Sequence, residues 1–184
     1  MAKPNRSREQ LLTDLRDIFL ARGYEGATLT ELARATGLGK ASLYHHFPGG
    51  KAEMAAALLR DAVAQLDEAF ARLAEKRSPA EQLDRFIDSF SDYVDGGARP
   101  CLVAVFAQGS VSDAHGVQIA DQYRHWETLL SETFAASGSK PKRAERQAQA
   151  LLAGLYGYLL SATLQRDPRV FRRGLKILKK SISD

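Results

Sequence analysis

The segment "TLTELARATGLGKASLYHHFPGGKAEM", residues 28–54, decides the fold of this chain. Thr28 is followed three residues later by Glu31, which is the pattern of a capping box and predicts that a helix begins here. Gly37 ends that helix after barely two turns, and a second short helix, "KASLYHHF", runs up to Pro48. Two helices this short cannot bury enough surface alone, so they need a third helix to pack against.

The third helix is predicted just upstream, in "SREQLLTDLRDIFLARG" (residues 7–23). Ser7 and Gln10 have the spacing of another capping box, and Gly23 is a stop signal. The apolar residues fall on one helical face: Leu11, Leu12, Leu15, Ile18 and Phe19. The three helices together predict a helix-turn-helix unit. In this unit we expect Gly37 to adopt the left-handed backbone of the turn.

Helical geometry predicts which side chains of the last short helix face outward. Leu43 and Phe47 mark the buried direction, so Ala41 and His45 point most nearly away from the core. A recognition helix reads bases with its N-terminal and outward side chains, which here are Lys40, Ala41, Ser42 and His45. Thr28 at its helix end and Lys51 at the start of the next helix suit phosphates.

The remainder of the chain also has helical patterns. A long helix is predicted from Gly49 to about residue 76, and Ser78 caps the next helix. The apolar segment "CLVAVFAQG" (101–109) is predicted to be a buried helix because no partner strand exists elsewhere. Further helices are expected over roughly 115–137, 143–166 and 168–180. We therefore expect an all-α chain of about nine helices.

Composition and charge narrow the function classes. The net charge is +4, and residues 1–60 hold nine Lys or Arg against six Asp or Glu, which favours a polyanionic partner for the N-terminal third. No apolar run is long enough to span a membrane, and the N-terminus lacks the apolar core of a signal peptide. A single cysteine, Cys101, excludes an internal disulfide framework. These features favour a cytoplasmic protein without a membrane partner.

The segment 28–54 closely resembles the DNA-binding region of TetR-type (TetR/AcrR) bacterial transcriptional regulators. The matching features are a Thr-capped helix, an Ala-x-x-x-Gly turn, a Leu-Tyr-x-His-Phe recognition helix and a Lys opening the next helix. The resemblance implies that Lys40, Ala41, Ser42 and His45 face bases, and that phosphates are held by Thr28, Tyr44, His46 and Lys51. Gly39 departs from the family pattern, in which Ser or Thr often caps the recognition helix, and should weaken that cap by a few tenths of a kcal/mol.

The resemblance also implies two domains. Residues 5–51 would form the helix-turn-helix DNA-binding domain, and residues 52–184 a helical domain for effector binding and dimerisation. Candidates for an effector pocket are aromatic and neighbouring residues on successive helices: Phe86, Phe90, Tyr93, Phe106, Gln108, Tyr123, Trp126, Leu130 and Tyr156. A bare helix side in "LLAGLYGYLLSATLQ" gives candidates for a dimer interface: Ala153, Gly154, Gly157 and Ser161. Plain core packing and packing between helices of one chain are the alternatives for these two sets.

Catalysis, metals and cofactors find no support in the sequence. Adjacent His45 and His46 diverge by about 100° on a helix and cannot both bind one ion. "PGGKA" lacks the spacing of a phosphate-binding loop, and Ser42 lies in no nucleophile elbow. Together with the absence of such sites, the TetR-type resemblance implies a homodimeric repressor, without cofactor, that a small apolar or aromatic ligand releases from a palindromic DNA operator. A constitutive DNA-binding protein without effector and an all-helical enzyme remain as alternatives.

Overall fold

The computed structural model describes residues 6–108 and 111–183, and within them the chain forms nine α-helices and no β-strand. This confirms the predicted all-α fold. The helices are α1 (Arg8–Gly26), α2 (Leu29–Thr36), α3 (Lys40–His46), α4 (Gly50–Phe70), α5 (Pro79–Tyr93), α6 (Leu102–Phe106), α7 (Val111–Ala136), α8 (Pro141–Gln165) and α9 (Pro168–Ser183). Across the described residues, no helix combines the length and the apolar character needed to cross a membrane.

Local sequence signals account for the starts and turns of the N-terminal helices. Complete capping boxes begin α1, α2 and α5, formed by the pairs Ser7–Gln10, Thr28–Glu31 and Ser78–Glu81. Gly37 has φ 66° and ψ 11°, the left-handed conformation expected for the turn between α2 and α3. Gly39, in contrast, caps α3 without any side-chain hydrogen bond, as its missing side chain requires.

Several boundaries differ from the sequence expectation, among them the start of α7, which is Val111 rather than about residue 115. The helical backbone breaks at Gly23, as expected, but α1 then continues to Gly26. The α-helix of α4 ends at Phe70 rather than near residue 76, and a 3₁₀ turn over Ala71–Ala74 follows it. Such a turn commonly tightens the end of a helix, and sequence periodicity does not distinguish it from α-helix. The apolar segment is helical only over Leu102–Phe106.

The chain divides into two compact units. The described part of the first unit lies within Met1–Val63 and Leu102–Val117, and that of the second lies within Ala64–Cys101 and Gln118–Asp184. In the first unit, Phe19 is fully buried and meets Phe106 of α6 edge-on, with ring centroids 5.5 Å apart. The functional division after residue 51 stays a prediction.

In the second unit, α8 and α9 pack closely because two glycines leave room. A Cβ atom added to Gly154 of α8 would lie 2.7 Å from Leu178 Cδ2 of α9. A Cβ atom added to Gly174 of α9 would lie only 2.1 Å from Cγ of Tyr158 on α8. At Gly154 the end of the flexible Leu178 side chain could turn aside for a larger residue, whereas at Gly174 a larger residue would have to displace the Tyr158 ring or push the helices apart.

Candidate nucleic-acid interface

The recognition helix α3 is attached to the core by one side and exposed on the other. Leu43 has 1% of its surface exposed, and Phe47, directly after the helix, has none. The side chains predicted to face bases are all exposed, namely Lys40, Ala41, Ser42 and His45. The structure thus brings these four residues together on one accessible face.

The residues predicted to hold phosphates lie around that face in different environments. Thr28 is exposed at the start of α2, where its hydroxyl accepts a hydrogen bond from the Glu31 N–H at 3.2 Å. Tyr44 is 45% exposed, with its ring against Gly50, while His46 is half-buried. Their contacts with DNA stay predictions.

Lys51 is already engaged within the first unit. Its Nζ donates a hydrogen bond to the Tyr24 carbonyl oxygen at 2.9 Å and lies 4.3 Å from the centre of the Tyr24 ring. A phosphate contact by Lys51 would therefore have to share the ammonium group with α1, or replace the bond to Tyr24.

The adjacent histidines diverge on the helix. Their ring centroids are 5.8 Å apart, and the ring planes of His45 and His46 are inclined by 75°. In the part of the chain that the structure describes, no group of three or more His, Cys, Asp or Glu residues is placed to hold a metal ion.

Two arginines near the start of α1 support the helix-turn-helix unit, and the sequence patterns did not single them out. Arg6 donates to the Thr36 carbonyl oxygen at the end of α2 at 2.6 Å. Arg8 donates to the His46 carbonyl oxygen at the end of α3 at 2.9 Å. The sequence did contain one indication of this role. Positive charge is unfavourable at a helix N-terminus, so an arginine there is expected to have a partner elsewhere.

Comparison with known proteins agrees with this geometry. The family model described as "Bacterial regulatory proteins, tetR family" matches residues 11–58, which include most of α1 and all of α2 and α3. A second model, "Transcriptional regulator LmrA/YxaF-like, C-terminal domain", matches residues 79–176, more than half of the chain. The chain belongs to the TetR family. It is accordingly a DNA-binding transcriptional regulator, and the predicted family is confirmed.

Individual relatives and solved structures resemble this chain over most of its length or over its N-terminal third. The regulator LmrA of Bacillus subtilis is 28% identical over 169 residues, covering 88% of this chain and 89% of its own. The repressor AcnR of Corynebacterium glutamicum is 41% identical over 66 residues, 36% of this chain and 35% of its own. A TetR-family structure from Agrobacterium tumefaciens superposes with a TM-score of 0.79 at 20% identity, covering 94% and 95% of the two chains.

Most of the candidate effector-pocket residues of this TetR-family chain lie in the second unit, in an aromatic cluster whose Phe and Trp side chains are buried and whose tyrosines are half-buried. Ring contacts run from Trp126 through Phe70, Phe86, Phe90 and Tyr156 to Tyr123. Tyr93 contacts Phe90, and Leu130 is fully buried. Phe106 and Gln108 belong to the first unit, where Phe106 packs on Phe19 and Gln108 is exposed. The assignment of these residues to a pocket stays a prediction.

One hydroxyl group marks the polar part of that cluster. The Tyr156 hydroxyl and Cys101 Sγ are 3.8 Å apart. Burial raises the pKa of Tyr156 well above its ordinary value, and the neighbouring Cys101 adds to the effect. The phenol is therefore neutral under ordinary conditions and can act as a hydrogen-bond donor or acceptor.

A separate open groove of about 500 Å³ lies in the second unit between the end of α4 and α7. Its walls include the apolar side chains of Phe70, Leu73 and Leu129 and the polar side chains of Asp67 and Glu132. None of the residues predicted for the effector pocket lines this groove.

The candidate dimer residues of α8 fall into two groups. Gly154 faces Leu178 of the same chain, whereas a Cβ atom at Gly157 would meet nothing within 4 Å. Exposed residues continue the open side of Gly157 along one helical face: Ala153, Leu160 and Leu164, the last two being 59% and 75% exposed. Ser161 is half-buried beside this stripe, and its hydroxyl donates to the Gly157 carbonyl oxygen at 2.8 Å.

Proposed function

We propose that this chain acts as a homodimeric repressor that a small apolar or aromatic ligand releases from a near-palindromic DNA operator. The observation that carries the proposal is the exposed face of α3, formed by Lys40, Ala41, Ser42 and His45 over the buried Leu43 and Phe47. In a two-fold dimer, two such helices would enter successive major grooves about 34 Å apart on one side of the duplex.

The side chains on this face suit direct reading of base edges. Lys40 can donate to O6 and N7 of guanine, and the Ala41 methyl group can pack against the methyl group of thymine. His45 and Ser42 can form hydrogen bonds with base edges in the same groove. Thr28, Tyr44, His46 and Lys51 would position the unit on the phosphates, which carry affinity without sequence information.

Dimerisation is proposed through the exposed stripe of α8. Ala153 and Gly157 allow close approach of a second helix, and Leu160 and Leu164 supply apolar surface that is unusual on the outside of a soluble monomer. The action as a repressor is proposed from the likeness of the N-terminal third to the transcriptional repressor AcnR.

Effector control is proposed to arise from the aromatic cluster of the second unit. An effector shifts the protein away from the DNA-binding conformer only if it binds the other conformer more tightly. Helix α4 would connect the effector site with the helix-turn-helix unit, because its residues 50–63 belong to the first unit and its residues 64–70 to the second.

The test begins with selection of bound fragments from genomic DNA by the purified protein, followed by anisotropy titrations on the selected operator. Lys40→Ala should weaken operator binding about 5- to 160-fold, because a bidentate base contact is worth about 1–3 kcal/mol. Lys142→Ala removes an exposed lysine of α8 and is the matched control, expected to bind as the unchanged protein does. Unchanged operator affinity in both Lys40→Ala and His45→Ala would refute base reading by α3.

Two further measurements test the dimer and the effector. Sedimentation equilibrium should show a two-fold dimer, and a monomer at operator-binding concentrations would contradict the proposal. In an operator titration against a library of small apolar and aromatic compounds, at least one compound should release the DNA. Failure of every compound would favour the constitutive alternative.

A further inference from the structure

We propose that Arg8 and Glu53 form a positioning pair that fixes the orientation of the recognition helix, so that its outer face meets the bases at the correct angle. The inference rests on the proposed reading of bases by α3 and adds two residues that do not themselves contact DNA. Both residues lie in the first unit, at the starts of α1 and α4.

The Arg8 side chain joins three separate segments of the chain. One terminal nitrogen donates to the His46 carbonyl oxygen at 2.9 Å, and the other donates to Glu53 Oε1 at 2.8 Å. The centre of the guanidinium group lies 4.5 Å from the centre of the Phe47 ring, within range of a cation–π interaction. A single side chain thereby connects the start of α1, the end of α3 and the first turn of α4.

Glu53 completes the connection from the other side. Its Oε2 atom accepts a hydrogen bond from the Gly49 N–H at 2.8 Å, in the turn that separates α3 from α4. The hydrogen bond from Arg8, followed by that from Gly49, lowers the pKa of Glu53. The carboxylate is therefore ionised at neutral pH, and both of its oxygens are used to hold the turn.

Helix α3 needs such support because its own structure secures it weakly. It has only seven residues, and Gly39 gives it no side-chain cap. Within the helix only Leu43 is buried, and its C-terminal end is anchored by Phe47, which is buried under the Arg8 guanidinium group. A positive charge at the last carbonyl groups of a helix is favourable, so Arg8 adds to the anchoring that Phe47 gives this end.

The experiment compares operator DNA with unrelated DNA of the same length, using the full chain. Arg8→Ala and Glu53→Gln should each weaken operator binding about tenfold, the usual consequence of losing a hydrogen bond to a charged group. Binding to unrelated DNA and the dependence of affinity on salt should stay unchanged. The double variant should lose little more operator affinity than the single variant with the larger loss, because the two residues act as one unit.

Glu53→Gln gives the sharpest outcome because charge and position predict opposite results. The substitution removes a negative charge, and electrostatics alone would strengthen DNA binding. Glu9→Gln is the matched control, since Glu9 is an exposed glutamate in the first turn of α1. We expect Glu53→Gln to bind the operator more weakly and Glu9→Gln to bind it as well as or better than the unchanged protein.

Two results would overturn the inference. Operator binding by Glu53→Gln that equals that of Glu9→Gln would show that the pair does not orient α3. If Arg8→Ala lost the same affinity for operator DNA and for unrelated DNA, and the slope of log affinity against log salt concentration fell by about 1, Arg8 would be a phosphate contact instead. Thermal melting identifies any variant that does not fold. If Arg8→Ala does not fold, Glu53→Gln still tests the inference, because it keeps the hydrogen bond from Arg8 to His46. Failure of the proposed function itself would give a different result: Lys40→Ala and His45→Ala would bind the operator as tightly as the unchanged protein.

Discussion

Replacement of Gly157 by alanine tests where two copies of the chain meet. The added methyl group would find nothing within 4 Å in the single chain. Glycine inside a helix costs about 1 kcal/mol relative to alanine, so the fold of each chain should gain about that amount. If a second α8 packs against this face, the same methyl group should cost the interface about 1–3 kcal/mol through overpacking.

The two effects can be separated by measuring melting temperature at several protein concentrations together with sedimentation equilibrium. The dimer dissociation constant should rise about tenfold, since 1.4 kcal/mol corresponds to a factor of ten. The melting temperature at the lowest concentration, where association contributes least, should rise.

Gly174→Ala is the matched control within α9. Its Cβ atom would lie 2.1 Å from Tyr158 Cγ, so the ring must move by more than an ångström or the helices must separate. We expect the free energy of unfolding to fall by about 1–2 kcal/mol, because the overpacking exceeds the gain in helix propensity. A dimer constant unchanged by Gly157→Ala would refute the proposed interface, and a stabilising Gly174→Ala would refute the close packing of α8 and α9.

Three further predictions concern the fold and its titrating groups. Leu43→Ala should lower the free energy of unfolding by about 2–5 kcal/mol in urea titrations, because the side chain is buried, whereas Leu43→Met should cost less than about 1.5 kcal/mol. Hydrogen bonds from Ser78, first its hydroxyl and then its N–H, lower the pKa of Glu81 from 4.5, so their contribution to stability is present above pH 4.5 and lost as the pH falls through the lowered value. Glu81→Gln should therefore flatten the acid side of the melting curve against pH. Burial raises the pKa of Tyr156 from 10.0. The stabilising effect of its neutral form is therefore present below pH 10.0 and lost as the pH rises through the raised value. In an absorbance titration, Tyr156→Phe should remove the tyrosine that ionises last.

Features that depend on neighbouring residues could be predicted from the sequence. The capping box of Thr28 and Glu31 and the turn at Gly37 each involve residues within one helical turn, so their spacing specifies them. The exposed face of α3 follows from the helical period once Leu43 and Phe47 are placed in the core.

Features that join distant residues could not be predicted in the same way. The contact of Arg8 with Glu53 spans 45 positions, and no periodic pattern relates the two residues. The approach of Gly174 to Tyr158 depends on how two helices cross, which their separate sequences do not specify. Aromatic residues such as Phe86 and Phe90 have the same helical spacing whether they fill a core or line a pocket, so the sequence leaves both interpretations open.

The contact between Phe19 and Phe106 has a consequence for how the protein is made. Phe106 follows Phe19 by 87 positions, so the ribosome releases all of α1, α2 and α3 before the residue that covers Phe19 exists. At about 5–20 residues per second, several seconds of synthesis separate the two rings. A nascent chain stopped after Val63 would contain every helix of the helix-turn-helix unit but would lack the Phe106 ring that packs edge-on against Phe19. The DNA-reading part of this regulator is therefore completed only in the second half of its own translation.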